Sequence, residues 1–172
     1  IFTAACSDTM SVFPLRYYPD PVLRRRARPV RQIDATVRRL VTDLVDTMRH
    51  NAGVGLAAPQ VGVSLRVAVI EIPEHPVVVL VNPEMVKRRG EHLVEEGCLS
   101  YPGYRGDIKR SQKVVVKALN LEGEGFRITA EGLAAQALEH ELDHLNGILY
   151  LDHLESQDKL YPLEPAPPPP AV

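Results

Sequence analysis

Apolar side chains fall at Val37, Leu40, Val41, Leu44, Val45 and Met48, the spacing of one face of an α-helix. Asp34 stands where it can cap the start of that helix. Asn51 and Gly53 tolerate left-handed backbone and set its end near His50. The period then changes. Residues 66–72 and 77–81 are rich in β-branched side chains and read as two strands, parted by the break at Pro73, Glu74, His75 and Pro76. Residues 113–119 and 126–130 read the same way, and the glycines between them suit a hairpin connection. A second helix is predicted from about Glu131 to Asn146, with Leu138, Leu142 and Leu145 on its buried face and Gly147 as its stop.

The remaining segments organise around these elements. Residues 53–60, Gly-Val-Gly-Leu-Ala-Ala-Pro-Gln, hold almost no reactive side chain except Gln60 and read as a loop built for close approach. Arg24, Arg25, Arg26 and Arg28 form a basic run, taken as a solvated face because the whole chain carries a net charge of -2. That balance gives no electrostatic case for nucleic acid, and no direct nucleic-acid motif is present. With 172 residues, 45% hydrophobic and 24% charged, the chain suits one globular domain that buries roughly 70% of its unfolded surface. The longest apolar run, 77–81, is far too short to cross a membrane. The two cysteines, Cys6 and Cys98, make a poor disulfide framework and fit a reducing compartment. Met10 is the expected natural start, residues 1–9 being a leader or added segment. A trimmed targeting peptide ending near Cys6 is the alternative. A single catalytic domain is expected over 10–160, followed by a Pro-rich, disordered tail over 161–172.

The chemistry lies in the second helix. His140-Glu141-Leu142-Asp143-His144 is an H-E-x-x-H pattern, and at 3.6 residues per turn its two imidazoles lie one above the other, able to reach one metal ion. Glu141 is then placed to take a proton from an activated water. A third ligand is required. The extended metzincin spacing fails because Tyr150 stands where a histidine is needed. His153 and Glu155 follow the helix stop and remain candidates. Cys98, between Gly97 and Leu99 in a polar segment, is the better one, against the plainer reading of an inert buried thiol.

Three segments, G-V-G-L-A-A-P-Q at 53–60, E-G-C-L-S at 96–100 and H-E-L-D-H-L-N-G at 140–147, resemble in order the three motifs of peptide deformylases. The resemblance runs from about Met10 to His153. It implies an α+β fold with antiparallel strands around a central helix that carries the H-E-x-x-H motif. It implies Cys98, His140 and His144 as ligands of one divalent ion, iron(II) in the cell, with zinc, nickel or cobalt able to take its place. Glu141, the Gln60 amide and the Leu99 backbone N–H are its catalytic groups. Val54, Gly55, Glu96 and Gly97 line the peptide path, Glu96 alternatively orienting groups around the site, and Val54, Leu133 and Ala137 form a methionine pocket. Core packing is an equally good reading of the last three. The partner implied is an N-formyl-methionyl peptide or nascent chain, met transiently at the ribosome in a bacterial-type cytoplasm. An organellar or viral origin stays open.

Two features depart from the family pattern. Glu139 stands where Gln is commoner, adding a carboxylate expected near the site, and the Pro-rich end replaces a longer helix. His50, His75, His92 and His153 read as solvated, and Arg105 and Arg110 as loop fixers or surface residues. The rival functions are a zinc endopeptidase on the same motif and a non-catalytic module in which metal only supports the fold. The carboxylate of Glu141 speaks against the second.

Overall fold

The computed structural model describes residues 11–164. The expected leader, Met10 and most of the Pro-rich tail lie outside them. Helix α1, Ala35–His50, buries Val37, Leu40, Val41, Leu44 and Met48, and the Asp34 carboxylate accepts from Val37 N at 3.0 Å. The left-handed residue that ends it is Ala52 (φ 53), not Asn51 or Gly53. Asn51 instead donates its side-chain amide to Thr47 O at 2.7 Å, and Gly53 N closes on Met48 O at 2.9 Å.

Strands β1 (Gly55–Ala57), β2 (Val67–Ile70), β3 (Val78–Arg89), β6 (Lys113–Leu119) and β7 (Gly125–Glu131) form one antiparallel sheet in the order β1-β2-β3-β6-β7. Both faces of β2 are covered, which is why its four residues are apolar without alternation. Val67 and Val69 point into the cluster that holds α1, while Ala68 and Ile70 point into the cluster that holds helix α2, Gly132–Leu145. β3 outruns its expected end because Asn82 and Pro83 break the apolar run while the ladder with β6 continues to Arg89. It passes register irregularities on the way, and the Asn82 side chain ties it to the N-terminal arm through Val30 N and Val30 O, both at 2.8 Å.

A second sheet was not predicted. Strands β4 (His92–Cys98), β5 (Tyr101–Arg110) and β8 (Leu160–Pro162) pair antiparallel in the order β4-β5-β8. β4 is patterned inside out, Leu93 being 64% exposed while Glu96 is buried. β8 corrects the expected start of the tail. Leu160, Tyr161 and Pro162 pair with Gly106, Arg105 and Tyr104, and Tyr161 donates its hydroxyl to Glu95 at 2.7 Å.

α2 lies against β1, β2, β6 and β7. Its last carbonyl is taken up by the N-terminal arm and by an arginine: Leu145 O accepts from Ala27 N at 2.9 Å and from Arg66 Nη1 at 3.0 Å. Gly147 (φ +76) is needed there, because a Cβ would meet the Arg24 carbonyl at 2.5 Å. No helix among the described residues is long and apolar enough to cross a membrane.

Candidate metal centre

Cys98 ends β4, and His140 and His144 stand one turn apart on α2. The fold brings the three together. Cys98 Sγ lies 3.2 Å from His144 Nε2, which lies 3.2 Å from His140 Nε2, and the three donor atoms fall within 4.8 Å of one another. Those separations match the edges of a tetrahedron of roughly 2.0–2.3 Å ligand bonds, as one sulfur and two nitrogens around a divalent ion require. The imidazole of His140 turns its Nδ1 to Glu96 Oε1 at 2.6 Å and leaves Nε2 for a ligand bond. Burial pushes the Cys98 thiol up, but the His144 and His140 rings beside it pull it well below its ordinary value, toward the thiolate that ligates. Glu141 Oε2 is buried without a hydrogen-bond partner. This donor set and an orphaned carboxylate oxygen beside it fit a metal ion.

Glu141 stands between the two histidines and next to Gly55. A Cβ at Gly55 would collide with its carboxylate, so only glycine lets β1 pass this close. Burial pushes the Glu141 carboxyl up to about 7, against the pull of His140 and His144. A base with that affinity takes and gives up a proton near neutral pH.

Gln60 is held at both ends of its amide. Its Oε1 accepts from Ala57 N at 2.9 Å, and its Nε2 reaches Ser100 Oγ at 3.2 Å and Cys98 Sγ at 3.7 Å. The amide donor therefore faces the sulfur rather than solvent. The arm before α1 secures both flanking loops: Arg16 N donates to Gln60 O at 2.7 Å and Tyr18 N to Ser100 O at 2.9 Å.

A cavity of about 610 Å³ opens on this cluster. Val54, Gly55, Gln60, Gly97, Cys98, Leu99, Leu133, Ala137, His140 and Glu141 line it, and His144 sits behind them, buried. Glu96 borders the cavity, yet its carboxylate is engaged by His140, Arg110 and Gln136. These contacts favour the orienting alternative over a place in the peptide path.

Sequence reading missed several participants. Tyr17, Tyr101, Tyr104 and Leu163 build the outer wall of the cavity. Arg110 is no surface residue: it is 4% exposed and bonded to Glu96 and Asp143. His153 is not simply solvated, since its Nε2 lies 2.8 Å from Asp143 Oδ2. Glu139 adds no charge to the cavity, because its side chain turns to Arg88 and Ser111 instead. The spacing Glu139–Asp143 on α2 was the available signal, an acidic pair one residue ahead of the histidine pair.

The sequence profile of the polypeptide deformylase family matches residues 12–160. A peptide deformylase of Dehalococcoides mccartyi is 50% identical over 148 residues, 86% of this chain and 89% of its own. A crystal structure of a peptide deformylase from Legionella pneumophila superposes with a TM-score of 0.83 at 49% identity, covering 86% of this chain and 88% of that one. A class I type b peptide deformylase from Acinetobacter baumannii with Met-Ala-Ser bound superposes with a TM-score of 0.82 at 36% identity, covering 84% and 99%.

Proposed function

This chain belongs to the polypeptide deformylase family, and on that premise we propose how its residues divide the work of removing a formyl group. It is a metal-dependent hydrolase that releases formate from the N-formyl-methionyl end of newly made proteins, which sets aside the endopeptidase and the structural module. The observation that carries the assignment of roles is the meeting of one sulfur and two imidazole nitrogens within 4.8 Å, with the unpartnered Glu141 carboxylate beside them.

Cys98, His140 and His144 hold the ion. When bound, a divalent ion acidifies water and polarises the formyl oxygen. Glu141 accepts the proton of the attacking water and delivers it to the amine nitrogen as the C–N bond breaks, so the products are formate and a free N-terminus. The Gln60 amide, fixed by Ala57 and Ser100, and the Leu99 N–H donate to the oxygen on which negative charge develops. Gly55 and Gly97 give the substrate backbone room to lie strand-like between β1 and β4. Val54, Leu133 and Ala137 receive the methionine side chain, a role supported by their place in the cavity wall. That the Acinetobacter relative has Met-Ala-Ser bound supports a peptide that begins with methionine as what this site takes.

Iron(II) is the proposed ion in the cell, zinc, nickel and cobalt being compatible with the same soft donor set. Residues 10–160 act as the catalytic domain. The substrate class supports a cytoplasmic enzyme that meets nascent chains transiently at the ribosome. Glu141→Gln tests the central role. It should bind metal at the parent stoichiometry and release formate from a formyl-Met peptide about 10²–10⁴-fold more slowly. Parent-rate turnover by the metal-loaded variant would refute Glu141 as the base.

A further inference from the structure

The junction between β5 and β6 grips α2 with two consecutive residues. Arg110 donates Nη1 to Asp143 Oδ2 at 2.7 Å, and it donates Nε and Nη2 to the two oxygens of Glu96 at 3.0 and 2.6 Å. Ser111 donates its backbone N–H and its hydroxyl to the two oxygens of Glu139 at 2.8 and 3.0 Å, and Arg88 Nε reaches Glu139 at 2.9 Å. Glu139 and Asp143 are four residues apart and share one stripe of the helix. His140 and His144 are each the next residue, about 100° further round the axis. Whatever holds the acidic pair therefore sets where the histidine pair points.

Arg110 also reaches the other half of the centre. Glu96 lies two residues before Cys98 on β4 and accepts from His140 Nδ1 at 2.6 Å. One planar guanidinium thus bonds the strand that bears the sulfur and the helix that bears the imidazoles, and its fork matches the Glu96 carboxylate at two points.

We propose that Arg110, backed by Ser111, is a positioning residue of the metal centre, fixing the rotation of α2 and the separation of His140 and His144 from Cys98. The proposal rests on the reading of these three as ligands. Arg110 does not line the cavity and is not among the candidate ligands. It acts through Glu96 and Asp143, as outer partners of metal ligands do.

The full chain, carrying Arg110→Met or Arg110→Lys, is prepared anaerobically and loaded with cobalt(II). Its cobalt–thiolate absorption, its cobalt dissociation constant by chelator competition, and its kcat and KM on a formyl-Met peptide are compared with the parent. Arg110→Met should weaken cobalt binding about 10–100-fold, shift the absorption bands and lower kcat at least about tenfold with KM within about threefold. Arg110→Lys keeps the charge but not the fork and should restore only part of each. Folded variants with parental bands and a dissociation constant within about twofold of the parent overturn the proposal, even if they melt earlier. Should Arg110→Met not fold, Arg110→Lys and Ser111→Ala decide by the same readings. A parent protein without a cobalt–thiolate band defeats the ligand reading itself, a different failure from unchanged variants of a parent that shows one.

Discussion

Toward the five-stranded sheet, α2 presents Leu138, Leu142 and Leu145 to Ala68, Ile70, Leu80, Val114 and Val116. Toward β4 and β5 it presents Gln136, His140 and Asp143 to Glu96, Arg110 and Cys98. The first contact is apolar and indifferent to charge, worth about 25 cal/mol for each Å² removed from water. The second is a chain of buried ions that stabilises only while every member has its partner. One region therefore holds the fold, and the other depends on its charges and on the ion that the candidate ligands would hold.

Cys98→Ala is the severest way to break that contrast. It should remove the bound ion and slow formate release at least about 10³-fold, the several kcal/mol of charge stabilisation that the ion supplies. Metal analysis and formate release on anaerobic protein read it. The five-stranded sheet should keep its far-UV circular dichroism, and retained metal with retained turnover would show that the sulfur is not a ligand.

The same contrast decides what was legible from residues alone. α1, α2, β6 and β7 bury apolar side chains at regular periods and β2 is an unbroken apolar run, so their pattern announces them, whereas β1 falls in the segment that reads as a loop. The candidate histidines were legible because four residues on a helix is a spacing with a chemical consequence, and Cys98 because it sits in a polar segment that suits a third ligand better than an inert thiol. β4 and β5 were not, since their inward positions include Glu96 and Arg110, and no hydrophobic rule points a charge inward. Nor can periodicity find Ala52 as the left-handed residue or show which way Glu139 turns, because both are settled by neighbours far along the chain.

A pair of leucines sharpens the comparison at intermediate size. Leu80 is fully buried on β3 beneath α2, and Leu80→Ala should cost about 2–5 kcal/mol of unfolding free energy. Leu93 on β4 stands 64% exposed, and Leu93→Ala should change stability by no more than about 0.5 kcal/mol. Urea unfolding of both measures it. Equal losses would mean that β4 is held by apolar burial after all.

Acid should separate the two regions more gently. Burial would raise the Glu96 carboxyl, but hydrogen bonds from His140 and Arg110 bring it down to about 2 from an ordinary 4.5. Between those values the unfolded chain binds more protons than the folded one, so stability rises with pH there. The contribution is complete above pH 4.5 and disappears as pH falls toward 2, about 3 kcal/mol in all. Asp143, held below its ordinary range against burial by His153 and Arg110, adds in the same direction. Glu84 and Glu131 of the five-stranded sheet are also held below their ordinary range, by Lys117 and Lys113, but these pairs are exposed and screened by solvent. Amide exchange in chelator-treated protein at pH 5 and pH 3, corrected for the intrinsic rate, should show β4 and β5 losing protection while β2 and β6 keep theirs. Loss in both sheets together would mean that they unfold as one unit and that Glu96 secures the whole domain rather than its metal-bearing side.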